Sequence, residues 1–278
     1  MSEVAGDSLE RFEDSHGEIR EAVEEAAGLV VCTDFDGTLA PIEEDPDAPE
    51  IDPENRELLE RLRDAGDTRV AVVSGRALTD VRERVGVEGI AYAGNHGLEL
   101  EREGSVVVHP IAKRHADRIE RICEALSEAL AGIDGTGIED KGVTATIHYR
   151  QTPDEAVPVV REAVDDAVER FGGSGIEKTD GKEIVELRPE VRWHKGMAVS
   201  MLVDDHPDDW LPIYIGDDTT DESAFRAVDD GLAIYVGTGE TDAHYRVPTQ
   251  SGVTPCLSAL AEWHAGTERR PRADGIER

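Results

Sequence analysis

Short apolar runs alternate with amphipathic stretches along most of the chain, the pattern of β-α units around a mostly parallel sheet. Leu29 to Cys32 reads as a buried strand. Asp52, Pro53 and Glu54 then supply a cap, a first-turn proline and an acidic residue for a helix carrying Leu58, Leu59 and Leu62, which stops at Gly66. Val70 to Val73 is the next strand, followed by a helix from about Leu78 to Val85. Towards the far end, Leu211 to Ile215 and Leu232 to Val236 read as strands on either side of a helix bearing Phe225 and Val228.

The middle of the chain has a different rhythm. Val143-Thr144-Ala145-Thr146-Ile147 alternates apolar and polar residues, which predicts a sheet with one wet face. Ile119, Ile122, Leu126 and Leu130, and then Val160, Val164 and Val168, fall at helical spacing and predict two helices with apolar core faces. The expected fold is therefore α/β, with a Rossmann-like parallel-sheet core over residues 29–102 and 183–278. A smaller α/β unit over 103–182 is expected to be inserted in it, and residues 1–28 read as an acidic helical extension.

Charge narrows the function. The 278 residues include 29 Lys and Arg against 62 Asp and Glu, a net charge of -33, so nucleic acid is excluded as an expected partner. The acidic residues are spread over the whole chain, lysine occurs only at Lys113, Lys141, Lys178, Lys182 and Lys195, and the balance resembles that of proteins working at high salt. Cys32, Cys123 and Cys256 form no C-x-x-C pair and read as buried, reduced thiols. Met1 to Gly28 has neither the basic start nor the apolar centre of a signal peptide, and no apolar run approaches membrane-spanning length, so a cytoplasmic protein is expected.

Three apolar strands end abruptly in reactive polar residues: Leu29 to Cys32 in Thr33-Asp34-Phe35-Asp36-Gly37-Thr38, Val70 to Val73 in Ser74-Gly75-Arg76, and Leu211 to Ile215 in Gly216-Asp217-Asp218. In a parallel sheet these ends share one edge, where ligands sit. Asp34 and Asp36 lie two apart with Gly37 allowing a turn, and with Asp217 they form an oxygen-only set suited to Mg2+. Asp218 and Asp221 are expected to support this set from behind. Asp34, at the strand tip, is the expected nucleophile, since a carboxylate can attack phosphorus to give an acyl-phosphate. Asp36 is placed to protonate the leaving oxygen and later activate water. Ser74 offers its hydroxyl, and the Gly37-Thr38 and Gly75-Arg76 turns their amides, to phosphate oxygens, while Lys195 at a helix start adds a point positive charge. Each piece alone is an ordinary turn, cap or surface residue; their joint occurrence at three strand ends and one helix start is what points to chemistry.

Asp34-Phe35-Asp36-Gly37-Thr38-Leu39, Ser74-Gly75-Arg76, Lys195 and Gly216-Asp217-Asp218-Thr219-Thr220-Asp221-Glu222 resemble the four signature motifs of the haloacid dehalogenase superfamily. Further segments resemble its trehalose-6-phosphate phosphatase branch: Leu39-Ala40-Pro41-Ile42 with Pro46-Asp47-Ala48, Gly94-Asn95-His96-Gly97-Leu98-Glu99, Glu139-Asp140-Lys141 leading to His148-Tyr149-Arg150, and Gly181-Lys182 through Glu186-Leu187-Arg188-Pro189. The resemblance implies an α/β cap inserted between the second and third motifs, and a Mg2+-dependent phosphatase with a sugar-phosphate substrate and a functional link to a trehalose-phosphate synthase. It also implies that the disaccharide is held across the core-cap cleft by Lys182 and Glu186, with His96, Glu99, Lys141, His148 and Arg150 as further sugar contacts. The even spacing of Lys182 and Glu186 would put both on one face of a strand. His206, His244 and His264 are assigned to the surface. Related sugar-phosphate phosphatases acting on sucrose phosphate or mannosylglycerate phosphate would share the same motifs, and a catalytically idle binding subunit would share the fold.

Overall fold

The computed structural model describes residues 9–43 and 48–267. Pro46-Asp47 and residues 1–8 lie outside the described residues. In chain order the elements are β1 (Glu10–Arg11), α1 (His16–Glu25), β2 (Gly28–Thr33), α2 (Pro53–Asp64), β3 (Thr68–Val73), α3 (Leu78–Val85), β4 (Ala91–Gly94), β5 (Glu99–Arg102) and β6 (Ser105–Val108). There follow α4 (Pro110–Leu130), β7 (Gly137–Asp140), β8 (Ala145–His148), α5 (Val157–Ala167), β9 (Ile176–Asp180) and β10 (Ile184–Pro189). The described residues close with α6 (Lys195–Asp204), β11 (Trp210–Gly216), α7 (Glu222–Phe225), β12 (Leu232–Val236), β13 (Tyr245–Val247) and α8 (Val253–Thr267).

A nine-stranded sheet runs β1-β13-β12-β11-β2-β3-β4-β5-β6, every pair parallel except that β5 lies antiparallel between β4 and β6. Alternate residues of β2 feed opposite cores. Leu29 and Val31 pack with α1, α2, α3 and α8, and Val30 and Cys32 with α6 and α7, giving helices on both faces. The α2 start has the physical cause read from sequence: the Asp52 carboxylate accepts from the Glu54 amide at 2.8 Å and Pro53 occupies the first turn, a cap worth about 1 kcal/mol.

A second, antiparallel sheet runs β7-β8-β10-β9. One face is sealed by α4 and α5 through Ile119, Ile122, Leu126, Val160 and Val164. Its other face is wet only in part: Thr144 and Thr146 are each only 3% exposed, while Glu139, His148 and Glu186 are partly exposed. Thr144 meets the turn between β4 and β5, its Oγ1 donating to Asn95 Oδ1 at 2.5 Å, since a buried hydroxyl needs a partner.

The boundaries also move. β6 at 105–108 belongs to the large sheet and β10 at 184–189 to the small one, so the segment expected at 103–182 is shifted towards the C-terminus at both ends. Where it is described, the N-terminal stretch holds the helix α1 and is built into the core. β1 pairs with β13, and Phe12, Ile19 and Val23 are buried in the core, Phe12 stacking on Trp263 at 5.9 Å. His264 is likewise a core residue at 1% exposure, its Nε2 2.8 Å from Asp67 Oδ1, and His244 is half-buried with Nδ1 at 3.1 Å from the Gly231 carbonyl. The three cysteines are buried and free.

Candidate active site

β3, β2 and β11 are neighbours, so their ends bring Ser74, Asp34 and Asp217 to one edge. Asp34 is 4% exposed, and its amide continues the ladder by donating to the Ile215 carbonyl at 2.8 Å. The chain then turns: the Thr38 and Ala40 amides both donate to the Phe35 carbonyl, and Gly37 adopts φ 76°. Only glycine serves there, because a Cβ would collide with the Asp217 carboxylate as well as strain the backbone.

Lys195, at the start of α6, is buried. Its Nζ lies 2.9 Å from Asp34 Oδ1 and 2.8 Å from Asp221 Oδ1. The fully buried Asp221 also accepts from Tyr214 Oη at 2.6 Å and from the Asp217 and Asp218 amides at 3.1 and 3.0 Å. Asp218 is exposed and caps the short turn Thr219–Asp221. Asp221 is therefore the anchor that orients Lys195 and the Asp217 loop, more central than a supporting role behind Asp217 would suggest. Burial would lower the Lys195 ammonium, but the carboxylates of Asp34 and Asp221 overcome this and hold it charged.

One oxygen each of Asp34, Asp217 and Asp221 lies within 4.8 Å of the others. Burial first, and Asp221 next, push the Asp217 carboxyl up to about 7 against the pull of Lys195. Asp217 Oδ1 is buried without a hydrogen-bond partner among the described residues. An orphaned buried carboxylate oxygen beside two other carboxylates fits a hard cation held by oxygen donors. Asp36 does not join this set. Its carboxylate receives Arg76 Nε at 2.8 and 3.1 Å and Nη2 at 2.6 Å, and it is not among the three carboxylates that approach one another. Arg76 is accordingly committed to Asp36 and, at 3.0 Å, to Asp80 rather than presented to a phosphate.

Ser74 is 1% exposed and accepts from the Arg76 amide at 3.1 Å, which leaves its hydroxyl proton for a ligand. The Thr38 amide is consumed by the turn, while its hydroxyl is buried without a partner among the described residues, so the hydroxyl rather than the amide is the group available to a phosphate. At Gly75 a Cβ would overlap the His96 ring, and Lys141 Nζ reaches its carbonyl at 3.3 Å.

Above this edge stands the polar face of the small sheet. Strand register sets Glu139, Thr146 and Glu186 in one row. His148 Nε2 lies 3.2 Å from Glu139, Lys141 Nζ 3.6 Å from it, and His96 Nε2 3.7 Å from Glu186. His96 holds the Glu186 carboxyl below its usual range against the effect of burial; burial opposes the same outcome at Glu139, where His148 and Lys141 prevail. Glu99 accepts from Asn95 Nδ2 at 2.6 Å, and burial pushes its carboxyl up.

Two expected sugar contacts are more exposed than the rest. Lys182 is exposed in the turn between β9 and β10, outside the strand, so its spacing from Glu186 carries no shared face. Arg150 is exposed and pairs with Glu183 at 3.1 Å. Conversely, Glu139 and Thr146 belong to this row and Asn95 sits buried behind it, and sequence reasoning gave none of the three a role. Glu139 stood two residues from Lys141, on the same face, and Asn95 in a glycine-flanked turn of the kind that favours asparagine at positive φ.

The family model described as trehalose-phosphatase matches residues 32–251. Trehalose-phosphate phosphatase B of Arabidopsis thaliana is 31% identical over 277 residues, covering 92% of this chain and 73% of that protein. Trehalose-phosphate phosphatase of Mycobacterium marinum is 38% identical over 216 residues, covering 76% of this chain and just over half, 54%, of its own length. The crystal structure of a trehalose-6-phosphate phosphatase related protein superposes with a TM-score of 0.75 at 27% identity, over 87% of this chain and 100% of that one. With the acidic site at adjacent strand ends and a polar second sheet above it, these matches place the chain in the trehalose-phosphatase family, on an α/β core of the haloacid dehalogenase type.

Proposed function

We infer that this protein hydrolyses trehalose 6-phosphate to trehalose and phosphate through an aspartyl-phosphate on Asp34. The observation that carries this reading is the buried Asp34-Lys195-Asp221 chain at the sheet edge, with Asp217 beside it and the row Glu139, Thr146 and Glu186 opposite. Asp34 Oδ attacks phosphorus, the ester P–O bond breaks, and the leaving sugar oxygen takes a proton; water then cleaves the acyl-phosphate. Lys195 holds the nucleophile in place and supplies fixed positive charge as negative charge shifts. The hydroxyls of Ser74 and Thr38 orient the phosphoryl oxygens. Asp36 is the acid and base, which requires its pair with Arg76 to open when substrate enters.

Asp34 and Asp217 would hold Mg2+, since the oxygens of Asp221 already accept from Lys195, Tyr214 and two amides. A bound ion would offset the repulsion between the Asp34 carboxylate and the phosphate. The acidic surface supports a protein that works at high salt, where such charge is screened. Among the described residues no helix is long and apolar enough to cross a membrane.

The direct test is a panel of trehalose 6-phosphate, sucrose phosphate and mannosylglycerate phosphate in molar salt, with phosphate release measured before and after chelation. Trehalose 6-phosphate should give the highest kcat/KM, and chelation should abolish release until Mg2+ is restored. A higher kcat/KM on another sugar phosphate would move the substrate assignment while leaving the chemistry. Turnover undiminished in excess chelator would remove the metal.

The cleft also separates recognition from chemistry. Glu186→Ala should lower kcat/KM on trehalose 6-phosphate about ten- to a hundredfold, the worth of roughly 1.5–3 kcal/mol for a hydrogen bond to a charged group. Turnover of a small aryl phosphate should hardly change, because it places no second sugar against the small sheet. Equal losses on both substrates would assign Glu186 to the fold or the chemistry.

A further inference from the structure

The small sheet has its own core, so something must fix its position over Asp34. Asn95 does this from the first sheet. It is 1% exposed, and its Nδ2 donates to Glu99 Oε2 at 2.6 Å and to the Lys141 carbonyl at 3.1 Å, while its Oδ1 accepts from Thr144 Oγ1 at 2.5 Å. Lys141 and Thr144 are the two ends of the turn joining β7 to β8, closed by the Lys141 amide on the Thr144 carbonyl at 3.0 Å. One buried side chain thus grips both ends of a single hairpin.

The backbone of Asn95 is tied to the phosphate side. Asn95 and His96 both adopt left-handed conformations, φ 52° and 55°, which non-glycine residues keep only when their surroundings enforce it. In return the Asn95 amide donates to the Arg76 carbonyl at 2.7 Å and the His96 amide to the Ser74 carbonyl at 2.9 Å. The same short turn therefore touches the Ser74 motif with its main chain and the small sheet with its side chain.

We propose that Asn95 is a positioning residue that latches the β7-β8 hairpin to the Ser74-Arg76 loop, and so sets selectivity for sugar phosphates over small phosphate esters. The proposal rests on the phosphatase reading above. Without the latch the small sheet keeps its fold but loses its register over Asp34, and a displacement of about an ångström is enough to cost on the order of a hundredfold in rate. Only a substrate that spans both sheets feels that displacement.

The test uses Asn95→Gly, which retains the left-handed backbone and removes only the side chain. On trehalose 6-phosphate, kcat/KM should fall about ten- to a hundredfold, with an aryl phosphate within about threefold of wild type. Thr144→Ser, which keeps the hydroxyl, should behave as wild type, Thr144→Val should reproduce the loss, and the double variant Asn95→Gly/Thr144→Val should be little worse than either alone. Hydrogen exchange reads the latch without substrate: Asn95→Gly should speed exchange at residues 141–146 while sparing α4. Equal losses on both substrates, full additivity, or unchanged exchange at 141–146 would each overturn the proposal. A wild-type enzyme inert on every sugar phosphate, with exchange still accelerated in the variant, would instead overturn the substrate reading and the selectivity with it, leaving the latch.

Discussion

Asp34→Asn should abolish phosphate release, by about 10⁴-fold or more, on sugar and aryl phosphates alike. An amide cannot attack phosphorus to give the acyl-phosphate, and no neighbouring carboxylate replaces it. Asp36 is the proton-transfer group, Asp217 would be taken up by the cation, and Asp221 is saturated by Lys195, Tyr214 and two amides. The fold should survive. Burial raises the Asp34 carboxyl well above its ordinary range against the pull of Lys195, with Asp221 and Asp217 adding like charge, so a neutral amide relieves a crowded site. Lys195 meanwhile keeps Asp221 at 2.8 Å. Phosphate release and a thermal melt on the same preparation check both halves: lost turnover with an unchanged or raised midpoint is expected, and substantial steady-state turnover would remove Asp34 from its role.

Lys195→Met should damage stability as well as rate. It deletes the one ammonium between two buried carboxylates and leaves Asp34 and Asp221 without their cation. Removing one member of a buried ion pair costs about 3–5 kcal/mol, a large fraction of the roughly 5–15 kcal/mol that holds a typical domain together. The urea midpoint at neutral pH should fall accordingly, and turnover by at least about a hundredfold. Lys195→Arg should not restore activity, since a planar fork cannot occupy the space of a compact ammonium between two carboxylates. A midpoint equal to that of wild type would mean that the carboxylates find other partners and that the Asp34-Lys195-Asp221 chain is not the structural centre of the site.

Much of this site could be read along the chain because its residues sit at strand ends. An apolar run breaking at Asp34, at Ser74 and at Asp217 announces three parallel strands and the edge they share, and Lys195 at a helix start completes the set. Local signals of this kind also fixed the Asp52 cap and the apolar stripes of α4 and α5. The alternation at Val143 to Ile147 correctly announced a strand with two unlike faces, yet not what covered the polar one.

What needed the tertiary structure were choices between partners. Asp36 and Asp217 are both carboxylates at turning strand ends, but Arg76, forty positions beyond Asp36, captures it and leaves Asp217 with the orphaned oxygen. Lys182 shares a sequence parity with Glu186, but a turn places it in solvent. Asn95 gives no chemical signal in sequence, being neither acid, base nor nucleophile. Its role arises because the fold brings Glu99, Lys141 and Thr144 around one amide. Periodicity and turn chemistry are properties of neighbouring residues and determine the elements. Which carboxylate is paired, which is left open and which hairpin is gripped depend on side chains far apart in sequence competing for the same space and charge, and only the packed molecule decides that competition.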